Sequence, residues 1–127
     1  MKVHRIIGDG NCLFGSCAFL LHTTHDNLRN KVVTVMKEYP TLKINGKTLA
    51  EWIEMAGNNK NYPSHVSKNG TWGSGIELAL ISIMYNRCIR IMKREETKFV
   101  QIAEFFPEYE DPMYLLYSGS HYDALTE

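Results

Sequence analysis

Residue types that cooperate in nucleophilic catalysis stand near opposite ends of the chain. Cys12 follows a turn-forming segment, residues 8–11 (Gly-Asp-Gly-Asn), and His121 comes 109 residues later. Asp123 lies two residues beyond His121, and residues i and i+2 of a strand face the same side of a sheet. A carboxylate there can hold one imidazole nitrogen and leave the other for a thiol. A thiol, a base and an orienting acid are the parts of acyl transfer through a thioester.

The sequence around Cys12 predicts a turn that runs into a helix. Gly8 and Gly10 admit backbone angles that a side chain would forbid, and Asn11 tolerates tight or left-handed turns. Apolar residues then recur at helical spacing, at positions 13, 17, 20 and 21. A helix N-terminus at Cys12 would present free amides and the positive end of the helix dipole, which favour a thiolate and can hold an oxyanion. The alternative is that Cys12 is a small buried hydrophobe.

Composition and length exclude several function classes. The 127 residues are enough for one domain, residues 1–127, with a core of its own. Basic and acidic residues both number 14 and form no basic stripe, so we expect no nucleic-acid partner. The apolar run over residues 13–21 is too short to span a bilayer, so we expect no membrane association.

Cysteine and histidine usage gives no sign of a metal site. The three cysteines fit neither a zinc site nor a disulfide framework, which favours free thiols in a reducing compartment such as the cytoplasm. The histidines other than His121 have no ligand spacing to one another or to a cysteine. We therefore expect no metal and no cofactor.

The elements that must position these residues read as helices followed by strands. Helices are predicted from residue 12 to about 21, from the Thr24 or Asp26 cap to Pro40, behind the capping box at 48–51, and from 76 to 85 behind a second box at 74–77. Strand patterns follow at 88–92, 99–102, 114–117 and 121–125. Residues 1–7 read as an irregular or extended lead-in, and 57–70 as a polar loop. This order predicts an α+β domain in which a small antiparallel sheet packs between helices.

Three segments together resemble a known family. Residues 9–14 (DGNCLF), 72–78 (WGSGIEL) and 121–125 (HYDAL) are similar, in order and character, to the signature blocks of the ovarian tumour (OTU) family of cysteine deubiquitinases. The resemblance runs from residue 7 to residue 125. It implies an OTU-like cysteine protease fold and hydrolysis of the isopeptide bond after the ubiquitin C-terminal Gly-Gly, through a thioester and without a cofactor.

The resemblance assigns catalytic roles to four residues. It implies that Cys12 is the nucleophile, that His121 is the general base and later protonates the leaving amine, and that Asp123 orients the imidazole. Asp9 matches a loop aspartate that shapes the oxyanion turn and in some members is thought to help the triad. Which of the two aspartates contributes more to His121 stays open at this point.

The resemblance also implies two groups of binding residues. The oxyanion hole would use backbone N–H groups of the nucleophile loop: Asp9, Gly10, Asn11 and Cys12. Substrate would be bound by Trp72 and Gly73, as the wall of a channel narrow enough for a Gly-Gly tail, and by Ser120 and Tyr122. Glu77 follows this wall, and we expect it to be the reciprocal capping group of Ser74.

The implied partner is ubiquitin or polyubiquitin, with other ubiquitin-like modifiers as further substrates, acted on by a monomer. The short chain resembles the compact members carried by viruses, which would place it in the host cytoplasm. Three alternatives stay open: a ubiquitin-binding module with this fold and no turnover, a protease that processes a viral polyprotein, and a structural α+β domain without activity.

An acidic cluster precedes the last two predicted strands: Glu104, Glu108, Glu110 and Asp111. It either meets the arginines that precede the two glycines of the ubiquitin tail or is a solvated loop. Charge reversal at Glu108 together with Glu110 separates these hypotheses. Contact with the tail predicts a raised KM for a ubiquitin substrate, whereas an unchanged KM would leave the solvated loop.

Overall fold

The computed structural model describes residues 1–57 and 61–127, which form five helices and seven strands. The helices are α1 (Cys12–Leu21), α2 (His25–Glu38), α3 (Leu49–Met55), α4 (Tyr62–Val66) and α5 (Gly75–Tyr85). The strands are β1 (Lys2–His4), β2 (Lys43–Ile44), β3 (Lys47–Thr48), β4 (Ile89–Glu95), β5 (Lys98–Phe105), β6 (Met113–Tyr117) and β7 (Tyr122–Thr126).

The main sheet has five strands in the order β1-β7-β6-β4-β5, so the predicted α+β class is confirmed. The sheet is mixed, and the expectation of a purely antiparallel sheet was wrong. β4 and β5 form an antiparallel pair, and the chain then crosses back to place β6 on the other side of β4. Because two reversals of direction separate β4 from β6, these neighbours run parallel.

The N-terminal lead-in is extended and belongs to the sheet. β1 pairs antiparallel with β7, and His4 lies opposite Ala124. The imidazole of His4 is 2.7 Å from the hydroxyl of Thr126, and its ring lies 4.6 Å from that of Phe19 on α1. These contacts join the first residues of the chain to both the last strand and the first helix.

The core lies between the helices and one face of the sheet. Alternation along β4 and β6 places Ile89, Ile91, Met113 and Leu115 on the same face. These residues join one hydrophobic cluster with buried side chains of the helices, among them Phe14, Leu28, Val32, Leu78 and Leu80. The cluster anchors α1 and α5, the two helices that begin at the predicted site.

Capping residues define where the helices begin. Thr24 caps α2, since its hydroxyl accepts the N–H of Asn27 at 3.2 Å. Both predicted capping boxes form, Thr48 with Glu51 at α3 and Ser74 with Glu77 at α5.

The segment predicted as a polar loop, 57–70, contains the short helix α4, and residues 58–60 of that prediction lie outside the described residues. Tyr62, at the start of α4, donates a hydrogen bond to Glu77 at 2.8 Å. Glu77 is completely buried and also accepts from the backbone N–H and the hydroxyl of Ser74. Burial is the largest influence on Glu77 and raises its pKa.

This buried carboxylate predicts a pH dependence of stability. Because its pKa is raised in the folded state, the contribution of Glu77 to stability is full at low pH and is lost as the pH rises through that folded-state pKa. Glu77→Gln stays neutral, so its stability relative to wild type should improve between about pH 4 and about pH 8. Urea unfolding of both proteins at the two pH values measures this.

Glu77→Ala is the matched comparison, because it also lacks the titrating carboxyl: its stability relative to wild type should improve with pH by the same amount, from a starting loss at about pH 4 of about 1–3 kcal/mol for the missing acceptors. A difference between wild type and Glu77→Gln that does not change with pH would contradict the argument.

Candidate active site

The loop before Cys12 is shaped by a backbone contact. Gly10 has φ +86°, and a Cβ atom there would lie 2.0 Å from the carbonyl oxygen of Gly70. Only glycine fits for both reasons. Asn11 is the N-cap of α1 with φ −104°, so the left-handed geometry considered for it is not used. Cys12 is therefore the first residue of α1, and the loop before it has a conformation fixed by this backbone contact.

His121 is oriented by Asp123. The imidazole Nε2 lies 2.8 Å from the Asp123 carboxylate, which can only accept, so Nε2 carries the hydrogen. Nδ1 is left as the basic nitrogen. Nδ1 faces Gly8, where a Cβ atom would lie 3.3 Å from it. Gly8 therefore allows the imidazole to come close to the backbone, and it does not adopt a positive φ. The backbone N–H of Ile6 donates to the same Asp123 oxygen at 2.8 Å.

The two predicted acids have different neighbours. The carboxylate of Asp9 accepts the backbone N–H of Asn11 at 3.1 Å, and this bond lowers the pKa of Asp9. Within the described part of the chain Asp9 makes no hydrogen bond to His121, whereas Asp123 does. The Asn11 amide thus already has an acceptor in the free protein, and its predicted place in the oxyanion hole stays a prediction. The amides of Asp9, Gly10 and Cys12 stay predictions.

A cavity of about 210 Å³ opens at Cys12. All four predicted substrate-binding residues line it with the thiol: Trp72, Gly73, Ser120 and Tyr122. Trp72 is 65% exposed although it lines the cavity. A Cβ atom on Gly73 would lie 3.1 Å from Leu13, so a side chain there would crowd the wall. The volume of about 210 Å³ suits a short, unbranched chain.

The cavity lining and the hydrogen bonds show how Cys12 is related to His121. His121 is not among the residues that line the cavity, and no hydrogen bond joins it to Cys12 in the described residues. Nucleophile and base are often farther apart in free enzymes and come together when substrate binds. The structure thus holds an oriented imidazole, a thiol at a helix N-terminus and a narrow cavity in one region.

Sequence reasoning missed Arg29. This residue of α2 is only 2% exposed, and its guanidinium donates to the side chain of Asn11, directly before the nucleophile. A signal was present in the sequence: Arg29 stands in the same helical stripe as Val33 and Met36, four and seven residues on, where a core side chain is expected.

The acidic cluster is partly committed to other partners. Glu104 pairs with Arg90 at 3.0 Å, and Asp111 pairs with Arg87 at 3.4 Å. Glu108 lines a second, larger cavity of about 710 Å³ between α3, the start of α5 and the end of β5. None of the predicted site residues lines that larger cavity.

Two further features bear on function classes. Across residues 1–57 and 61–127, His, Cys, Asp and Glu side chains form no group of three that could hold a metal ion. In the same residues, every helix is too short or too polar to cross a membrane.

Comparison with known proteins finds a matching family model and relatives of similar sequence. The family model "OTU-like cysteine protease" matches residues 7–124. The chain is 27% identical over 128 residues to the ubiquitin thioesterase OTU1 of Saccharomyces cerevisiae, covering 99% of this chain and 40% of that protein. It is 24% identical over 125 residues to the ovarian tumor domain-containing deubiquitinating enzyme 2 of Arabidopsis thaliana, covering 98% and 58%. The chain thus spans less than two thirds of either relative.

Solved structures share the fold. An ovarian tumor (OTU) domain in complex with ubiquitin superposes with TM-score 0.76 at 25% identity, covering 98% of this chain and 69% of that one. The Hazara virus OTU bound to ubiquitin superposes with TM-score 0.75 at 23% identity, covering 98% and 80%.

The three thiols should differ in reactivity. Burial raises the pKa of Cys17 to about 12 and also raises the pKa of Cys88, whereas Cys12 lines an open cavity. Iodoacetamide near neutral pH should therefore modify Cys12 first, because the thiolate is the nucleophile. Intact mass and peptide mapping over time measure the order, with Cys12→Ser as the control. Equal, slow modification of all three would indicate that Cys12 is an inert core residue.

Proposed function

The chain belongs to the OTU-like cysteine protease family, and from this we propose that it hydrolyses the isopeptide bond between the ubiquitin C-terminal glycine and a lysine amine. One observation carries the proposal. Cys12 lines a cavity of about 210 Å³ together with Trp72 and Gly73, and the carboxylate of Asp123 orients the imidazole of His121.

The proposed reaction begins with acyl transfer to Cys12. The sulfur attacks the carbonyl carbon of the terminal glycine, and Nδ1 of His121 takes the thiol proton. The oxyanion that forms is stabilised by backbone N–H groups of the loop that ends at Cys12, those of Asp9, Gly10, Asn11 and Cys12. When the C–N bond breaks, Nδ1 gives the proton to the leaving lysine amine, and a thioester on Cys12 remains.

Water then releases the product. Nδ1 of His121 removes a proton from water, the hydroxide adds to the thioester carbonyl, and the C–S bond breaks. The ubiquitin carboxylate leaves, and the proton returns to the Cys12 thiol. Throughout both steps Asp123 holds Nε2, which keeps Nδ1 aimed at the reacting atoms and stabilises the imidazolium.

The cavity supports ubiquitin as the partner. A wall made of Gly73 and an indole leaves room for a backbone without side chains, which is the chemistry of a Gly-Gly tail. The superposed OTU domain that carries ubiquitin supports the same partner. Ubiquitin-like modifiers with the same tail are the further substrates of this proposal. Three free cysteines fit action in the cytoplasm, and the viral neighbours make the host cytoplasm one such place.

Hydrolysis of ubiquitin with a fluorogenic amine at its C-terminus tests the proposal. Cys12→Ala should abolish release of the amine, and His121→Ala should lower kcat/KM by about 10²–10⁴-fold, because proton transfer is lost. Asp123→Ala should cost less, since its role is to orient the ring. Cys88→Ala is a matched control outside the site and should retain activity.

Full activity in Cys12→Ala would rule out the mechanism. Binding of ubiquitin by folded wild-type protein without any hydrolysis would instead indicate an inactive ubiquitin-binding module.

A further inference from the structure

Arg29 is a buried cation on which the carboxylates of Glu77, Asp26 and Asp9 act only from beyond salt-bridge distance. Its side chain is 2% exposed, its Nε has no hydrogen-bond partner, and it forms no ion pair with any residue that the structure describes. The guanidinium lies 4.4 Å from the centre of the Phe14 ring. Burying a charge in this way is costly unless its hydrogen bonds hold something that the protein needs.

The two hydrogen bonds of Arg29 go to two different chain segments. One terminal nitrogen donates to the side-chain oxygen of Asn11 at 2.8 Å, and the other donates to the backbone carbonyl of Val66 at 2.8 Å. Asn11 lies in the loop that ends at Cys12, and Val66 ends α4. Arg29 therefore connects the nucleophile loop to the end of α4.

Asn11 extends this connection. Its side-chain oxygen also accepts the backbone N–H of Gly70 at 2.9 Å, so one carboxamide oxygen receives both Arg29 and Gly70. Gly70 is the residue that touches Gly10, and two residues later the chain reaches Trp72. The network thus runs from α2 through the nucleophile loop to the wall of the cavity.

We propose that Arg29 is a positioning residue, which fixes the nucleophile loop against the 66–73 segment and thereby sets the oxyanion-binding amides beside Cys12. The inference rests on the proposed acyl-transfer function. It assigns to Arg29 no contact with substrate, and its effect passes through Asn11.

A lysine cannot replace this arrangement. The planar guanidinium offers separate donors for Asn11 and Val66, whereas an ammonium is a single point on a flexible stem. Arg29→Lys keeps the charge and much of the volume but should hold only one of the two segments. The nucleophile loop and the 66–73 segment would then shift relative to each other.

Two reactions of the same thiol separate positioning from simple stability. Acylation of Cys12 by 4-nitrophenyl acetate passes through a tetrahedral oxyanion, whereas alkylation by iodoacetamide is a direct displacement that forms none. Arg29→Lys should lower the acylation rate by about tenfold or more and leave the alkylation rate unchanged, since loss of an oxyanion donor costs rates of this order. Neither reagent requires ubiquitin.

Arg90→Lys is the matched control. Arg90 also donates from two nitrogens to two partners, Glu104 and Tyr114, but it lies on β4 outside the site. Arg90→Lys should leave both the acylation rate and the alkylation rate unchanged.

A double-mutant cycle with Asn11→Ala tests the route of the effect: if Arg29 acts through Asn11, Arg29→Lys should add little to the loss of acylation rate already caused by Asn11→Ala.

Each outcome decides the inference. A lowered acylation rate with normal alkylation in Arg29→Lys supports it, even if wild type fails to hydrolyse any ubiquitin amide, in which case only the proposed substrate is wrong. Equal rates in wild type and Arg29→Lys would overturn it. A fall of the acylation and alkylation rates in parallel with the folded fraction in urea would also overturn it. The absence of any acylation of Cys12 in the wild-type protein would do the same.

Discussion

The contact between Gly10 and Gly70 is the constraint on which the site depends. A Cβ atom on Gly10 would lie 2.0 Å from the Gly70 carbonyl oxygen, and both glycines have positive φ. Two loops far apart in sequence thus meet backbone to backbone. Because no side chain separates them, backbone geometry alone sets the distance between the loop before Cys12 and the loop that leads to Trp72 and Gly73.

The nucleophile and the base are held by different parts of the fold. Cys12 is positioned by a helix anchored in the core, and His121 immediately precedes β7, which lies between β1 and β6. Asp123 receives both the imidazole and the Ile6 N–H, so the N-terminal lead-in helps to fix the acid that orients the base. Asp9 bonds within its own loop. The two aspartates thus have separate hydrogen-bond partners: the imidazole and the Ile6 amide for Asp123, and the Asn11 amide for Asp9.

What could be predicted from the sequence was local. The start of α1, both capping boxes and the pairing of His121 with Asp123 depend on residues within a few positions of each other. The parallel pairing of β4 with β6 depends on a crossover that no local pattern encodes. Arg29 was missed because its partners, Asn11 and Val66, lie 18 and 37 residues away. Long-range hydrogen bonds of buried polar groups are visible only once the chain is folded.

The most direct test of the account uses ubiquitin that carries an electrophile at its C-terminus. Wild-type protein and Cys12→Ser are each mixed with this reagent, and the intact mass is measured, followed by peptide mapping. The account predicts one ubiquitin added to the wild-type protein, attached at Cys12, and none added to Cys12→Ser. An adduct at Cys17 or Cys88, an adduct on the serine variant, or no adduct on folded wild-type protein would contradict it.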